Sequence, residues 1–283
     1  MSETVLYDVQ GPKARRRVLI GSVVGAVLIL AVFAVAGVRL AANGQFEADL
    51  YRPFIEEPQL YERLAEGLRN TLTAAVYALV LASVLGVLLA FGRLSSTPLV
   101  RLPAIAVIEL FRALPLLLLI LGIFLAYPIV VGRSLDPLYA LVVGLTLYNG
   151  AVIAEIVRAG ILALPRGQSE AALSIGLTRG QNLRLVLLPQ AVRIMLPALV
   201  SQLVVLLKDT SLGFVISFSE LLRTGQQLVQ FFGNPLQLFT FIALIYIAIN
   251  LALSSLANVL ERRQRRTVGS SATMAPTEKG AVR

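Results

Sequence analysis

The chain has 283 residues, 57% hydrophobic and 14% charged, far from the soluble average of about half apolar and a quarter charged, so the bilayer is its main solvent. Its net charge of +9 comes from 25 basic residues scattered between apolar spans, which argues against nucleic-acid binding. Without cysteine or histidine it has no disulfide framework, no thiol nucleophile and none of the usual zinc ligands, and no metal site is expected.

Residues 1–17 form a basic N-terminus that closes with Lys13, Arg15, Arg16 and Arg17. The run 18–38 is uncharged over about the length that hydrocarbon demands, and it exceeds the roughly 7 to 15 residues of a signal-peptide core. It is read as a retained first membrane helix. Residues 39–69 hold Glu47, Asp49, Glu56, Glu57, Glu62 and Glu66, with Pro53 and Pro58 interrupting any long helix, so an acidic external segment is expected. Asn70 and Thr71 stand where they would cap a second span over 72–91. A third span, 103–131, carries Glu109 and Arg112 three apart on one face. The fourth, 138 to about 161, embeds Tyr148, Asn149 and Glu155. The fifth, 193–218, contains Lys208, Asp209, Thr210 and Ser211, and the sixth covers 236–260. The tail 264–283 is basic, then low in complexity, and is expected to be disordered.

Between spans four and five lies a polar, cationic island, EAALSIGLTRGQNLRLVLLPQA, at 170–191. Ala171 and Ala172, after Glu170, expose little side chain and let another surface approach the backbone. Gly176 tolerates positive φ and separates two short helices, giving an elbow. Beyond it Leu183, Val186 and Leu187 share a face while Arg179 and Arg184 point elsewhere, so the second limb is expected along the membrane interface. A passive interfacial connector is the plain alternative.

With the N-terminus inside, seventeen basic residues fall on the cytoplasmic side and six outside, while Arg112 and Lys208 lie within spans. The excess places both termini and the Glu170 loop in the cytoplasm. Ionisable groups at membrane depth cost about 2.5 to 3.5 kcal/mol and need a partner or a wet cavity. Arg112, a third to halfway through its span, either pairs with Glu109 or offers its planar fork to a substrate carboxylate. Glu155 either meets a substrate ammonium or fixes Arg158. Lys208 and Asp209 are adjacent, so each needs its own partner; with Thr210 they mark a hinge or gate, or a buried pair to a neighbouring helix. Tyr148 and Asn149 soften span four, where Asn149 either bonds the α-amino or α-carboxyl group of an amino acid or glues two helices together. These seven residues are the candidate substrate pathway.

The segment 148–221 resembles the permease subunits of polar amino-acid ABC importers, the histidine, glutamine and glutamate branch. The likeness is carried by AEIVRAGI (154–161), LPRGQSEAA (164–172), LPQAVRIMLP (188–197) and LLKDTSL (206–212). Upstream, IELFRALPLL (108–117) is similar to a further motif whose common form has Gly-Thr where this chain has Ala113 and Leu114. The resemblance runs from about 68 to 263 and is strongest toward actinobacterial glutamate-uptake permeases. It implies an all-α polytopic membrane bundle of about six helices, the type I ABC importer permease (MetI-like) fold. The permease domain would be 70–263, its coupling loop about 164–192, and the helix at 18–38 an addition.

In that family two permease subunits, homologous or identical, pair in the bacterial plasma (inner) membrane. An external substrate-binding protein delivers the amino acid, here glutamate, and a cytoplasmic ATPase dimer drives import. Glu170, Ala171, Ala172 and Gly176 would couple the permease to that ATPase. The chain has no Walker A run, so ATP and Mg would be used by the partner, this chain would bind no cofactor, and it is not expected to be an enzyme. The alternative is an ion-coupled secondary amino-acid transporter, which midplane polar residues would also serve. Such carriers usually show repeated halves with paired broken helices, and the pattern of spans four and five has no second copy here. An intramembrane hydrolase would need a Ser-Lys or paired-Asp scheme, and neither has a suitable spacing.

Overall fold

Proline opens most of the helices, because its missing N–H would be unbonded in a first turn anyway and its fixed φ suits that position. The computed structural model describes residues 11–269, the side chains of 256–258 and 260–269 aside. Its elements are α1 (Pro12–Ala42), a 3₁₀ turn (Ala48–Tyr51), α2 (Pro53–Glu56), α3 (Pro58–Arg93), α4 (Pro98–Ala113), α5 (Leu116–Val131), α6 (Pro137–Leu162), α7 (Arg166–Ser174) and α8 (Arg179–Gln181). There follow a π-helical stretch (Asn182–Leu187), α9 (Leu188–Asp209), a 3₁₀ segment (Thr210–Ile216), α10 (Leu221–Phe232) and α11 (Pro235–Gly269). The described residues contain no strand, as the all-α reading expected. Of the tail 264–283 expected to be disordered, residues 264–269 continue α11, and 270–283, like the residues ahead of Gly11, lie outside the described part.

The chain divides into two units at Glu57 and Pro58. In the first, α1 has no buried residue, and Asn43 closes its end by donating to the Arg39 carbonyl at 2.7 Å. The acidic stretch after it is bent into its two short turns, with an exposed Arg52–Asp49 ion pair at 3.1 Å.

In the second unit α3 and α6 form the axis. One stripe of α3 is small and buried at four-residue spacing, Ala74, Ala78, Ala82, Gly86 and Ala90, and this lets α6 approach closely. A Cβ on Gly86 would sit 2.6 Å from Ile153 Cγ2 and 2.9 Å from the Gly150 carbonyl. Asp136 caps α6 by accepting from the Leu138 N–H at 2.8 Å, and Pro137 starts it. Around this axis the core falls into two clusters. One joins Ala74 and Ala78 to Ile120, Leu141, Leu145 and Leu206; the other joins Ala82 and Ala90 to Ile108, Ile153, Val157 and Met195.

Five described helices are long and apolar enough to cross a membrane, or six if one bent pair counts as a single span. Three expectations need correction. The third span is not one helix over 103–131: α4 and α5 meet at 100°, because Pro115 forces Leu114 into extended backbone (φ −79°, ψ 131°). Asn70 and Thr71 do not cap a helix, since α3 has already begun at Pro58; the segment 58–69 is helical and continuous with span two. The second limb of the elbow does not lie apart along an interface. From Arg179 to Ile216 the chain is one helical run of 38 residues, so this limb is the foot of span five.

Candidate functional site

The elbow forms where glycine was expected to make it. α7 closes with Gly176 at φ +87°, whose N–H donates to the Leu173 carbonyl at 3.0 Å while Leu177 N–H reaches the Ala172 carbonyl at 3.2 Å. These are the two bonds of a Schellman closure, which needs a residue without a Cβ penalty at positive φ. Thr178 then opens the second limb with a capping box: Gln181 N–H donates to Thr178 Oγ1 at 3.3 Å, and Thr178 N–H donates to Gln181 Oε1 at 2.9 Å. Glu170, Ala171 and Gly176 are exposed as expected, but Ala172 is buried in the elbow. The face is more apolar than the motif suggested, because Leu173 and Ile175 are exposed beside Ala171, Ile175 by 79%. Their positions follow from the α7 backbone and the glycine stop, which periodicity over nine residues does not fix.

The charges of α4 and α6 are gathered into one chain. Arg93, the last residue of α3, reaches Glu109 at 2.9 Å and Glu155 at 3.1 Å. Arg112 lies 3.8 Å from Glu109, and Arg158 lies 3.0 Å from Glu155. Arg93 and Glu155 are the covered members, with side chains 18% and 16% exposed. Alternating signs offset the desolvation of each group, and three guanidinium groups against two carboxylates leave one positive charge over. Arg112 sits in the last turn of α4, at the corner with α5 and half exposed, rather than deep in a straight span. Sequence reading missed Arg93 because it ends an apolar run and looked like an ordinary flanking cation.

Asn149 is fully buried. Its Nδ2 donates to the Leu145 carbonyl at 2.9 Å, and its Oδ1 accepts from Gln202 of α9 at 2.6 Å. This contact separates the two apolar clusters along α6 and α9, and Tyr148 beside it is half-buried. Gln202, not singled out from sequence, is two turns before Asp209 and so on the same helical face. At Thr210 the α-helix of span five tightens to 3₁₀; Thr210 is buried and donates to the Leu207 carbonyl at 2.7 Å. Among the described residues neither Lys208 nor Asp209 has an ion pair. Lys208 lines an open cavity of about 700 Å³ between α9 and α11, with Ser211, Tyr246 and Asn250 as its polar neighbours and Val204, Phe239 and Ile247 among its apolar walls.

Behind Tyr246 and Leu222, which line that cavity, Glu220 is fully buried. It caps α10 by accepting from the N–H groups of Leu222 at 2.8 Å and Arg223 at 2.7 Å, and from the Tyr246 hydroxyl at 2.9 Å. Burial pushes its carboxyl above the usual carboxylate range, against those three donors, which favour the charged form. Asn70 and Thr71 join the same junction: Asn70 donates to the Ser219 carbonyl, and Thr71 Oγ1 accepts from Leu221 N–H. The structure therefore brings Arg112 and Glu155 into one charge chain, and Lys208, Asp209 and Thr210 into one helix end. Asn149 is joined to that end through Gln202, while Glu170, Ala171 and Gly176 stand apart as a separate exposed surface with Ala172 buried beneath them.

A family model described as "Binding-protein-dependent transport system inner membrane component" matches residues 82–266. The glutamate transport system permease protein GluD of Corynebacterium glutamicum is 43% identical over 229 residues, which are 80% of this chain and 84% of that protein. The glutamine transport system permease protein GlnP of Escherichia coli K12 is 36% identical over 203 residues, covering 71% and 93%. Among solved structures, "Crystal structure of an amino acid ABC transporter with histidines" superposes with a TM-score of 0.69 at 33% identity, over 72% of this chain and 95% of that one.

Proposed function

Since the chain belongs to the family of binding-protein-dependent transport system inner membrane components, we propose that its substrate is glutamate and that α7 is the surface through which an ATPase drives it. It is a permease subunit of an ABC importer for polar amino acids, with that family's type I fold, and the ion-coupled carrier falls with that membership. The proposal extends to its assembly: a second permease subunit, identical or homologous, a cytoplasmic ATPase dimer that uses ATP and Mg, and an external binding protein. Both termini then face the cytoplasm.

One observation carries the coupling reading. The exposed face of α7 is joined by the Gly176–Thr178 elbow to one helical run, Arg179–Ile216, that bears Gln202, Lys208 and Asp209, so a push on one is a push on the other. Lys208 suits a carboxylate of glutamate and Asp209 its ammonium at one end of the path, and the spare positive charge around Arg112 suits a carboxylate at the other; Tyr148, Asn149, Glu155 and Thr210 complete the path. The chain's own work is to bind, orient and release the substrate, with no covalent step.

The test is ATP hydrolysis by the permease reconstituted with its ATPase, with and without glutamate-loaded binding protein. Ala171→Trp places an indole on the docking face, and Gly176→Val forces a β-branched residue to φ +87°, at about 1 to 2 kcal/mol. Both should abolish stimulation while the permease still inserts. Stimulation that persists in Ala171→Trp would reduce the loop to a connector, and stimulation by another amino acid alone would replace glutamate as the substrate.

A further inference from the structure

Asn182 is a buried amide, 4% exposed, in a loop where Ala172 is the other buried residue of α7 and the elbow. Its Nδ2 donates to Ser169 Oγ at 2.7 Å, one residue before Glu170, and its Oδ1 is buried without a hydrogen bond. A half-satisfied buried amide is costly, so the bond to Ser169 is the contact that offsets its burial and ties the two segments. A second tie runs the same way, from Gln190 Nε2 to Gln168 Oε1 at 3.3 Å. Both connect α7 to the foot of span five. Among the described residues no hydrogen bond or ion pair connects α7 to α6, although α6 precedes it directly in the chain.

The Schellman closure at Gly176 and the capping box at Thr178 fix the angle of the elbow from the backbone side. The Ser169–Asn182 bond closes it from the inside, so the loop moves as one piece. Asn182 also opens the π-helical stretch Asn182–Leu187, the wider turn at which the foot joins the regular helix of α9. At 1.5 Å per residue Asn182 and Asp209 are about 40 Å apart along the axis, so a tilt of about 5° at the foot displaces the far end by about 3.5 Å.

We infer that Ser169 and Asn182 are positioning residues of the transport cycle, whose hydrogen bond fastens the coupling helix to α9 so that its movement drives span five rather than span four. The inference rests on α7 being the ATPase-docking surface. It adds a path for the motion and two residues outside the docking face.

The experiment compares Ser169→Ala, Asn182→Ala and Ser169→Thr in proteoliposomes holding permease, ATPase and binding protein. It reads L-glutamate taken up per ATP hydrolysed, together with retention of the ATPase by detergent-solubilised permease. The two alanine variants should retain the ATPase and lose about fivefold in uptake per ATP, the equivalent of one hydrogen bond. Ser169→Thr keeps the accepting hydroxyl and should transport like the parent. Unchanged uptake per ATP in both alanine variants overturns the inference, as does an equal loss in Ser169→Thr. Loss of ATPase retention overturns it too, because the pair would then shape the docking face instead of transmitting motion. Ser169→Ala deletes only one hydroxyl, so it keeps the test decisive if Asn182→Ala loosens the elbow. Failure of the docking reading shows independently, as persistent stimulation in Ala171→Trp.

Discussion

At the scale of single residues, the chain from Arg112 through Glu109, Arg93 and Glu155 to Arg158 holds one cation that is covered and one that is open. Arg93 touches two carboxylates on two helices and is mostly covered; Arg112 holds one at 3.8 Å and is half exposed. Arg93→Gln leaves Glu155 covered with one cation fewer, and a broken covered pair costs on the order of 3 kcal/mol. The melting temperature of the detergent-solubilised permease should fall clearly. Arg112→Lys keeps the charge and loses the fork, so melting should hold while glutamate uptake drops about tenfold or more, tenfold being near the low end of the roughly 1.5 to 3 kcal/mol of one charged hydrogen bond. If both variants melt alike, Arg112 is a structural member of the chain. The i, i+3 pairs Glu109–Arg112 and Glu155–Arg158 were legible in sequence because helical spacing alone makes them. The bridge through Arg93 was not, since it exists only where the end of α3 meets α4 and α6.

At the scale of elements, the closeness of α3 and α6 rests on side chains that are missing. Gly86→Ala would drive a methyl into Ile153 and the Gly150 carbonyl, and backbone cannot step aside as a flexible side chain can. Overpacking of this kind costs about 1 to 3 kcal/mol, so thermal unfolding in detergent should shift down by several degrees. Gly122→Ala is the control: the same substitution in α5 finds nothing within 4 Å and should be neutral or slightly stabilising. A Gly86→Ala protein that melts like Gly122→Ala would mean that the two helices are free to separate there. The repeat of small residues from Ala74 to Ala90 is visible in the sequence, but which helix it receives is not.

At the scale of the whole molecule, the bent pair decides the topology. If α4 and α5 together cross once, six crossings put both termini on one side; if they do not, the parity changes and every later loop swaps sides. Reporter fusions at Glu57 and Arg133 should be external and one at Ser174 cytoplasmic, in line with the excess of Lys and Arg on the inner side. A cytoplasmic Arg133 fusion would show that the pair turns back without crossing, and would move the coupling loop away from any ATPase.

The sequence by itself determined the solvent, the helical class, the elbow at Gly176 and the family, because each depends on local quantities: apolar length, proline and glycine positions, and the fixed spacing of Glu170, Ala171, Ala172 and Gly176. It also placed Lys208, Asp209 and Thr210 at a weak point of span five, since three polar residues in an apolar run disturb a helix wherever it packs. Only the tertiary structure decided that the third span is a corner, that the elbow's second limb is the foot of span five, and that Asn149 answers to Gln202. Each of those depends on which surfaces meet. Apolar periodicity says that a face is buried but not against what, so partners 53 residues apart, as Asn149 and Gln202 are, become readable only when the packed helices bring them within hydrogen-bond reach.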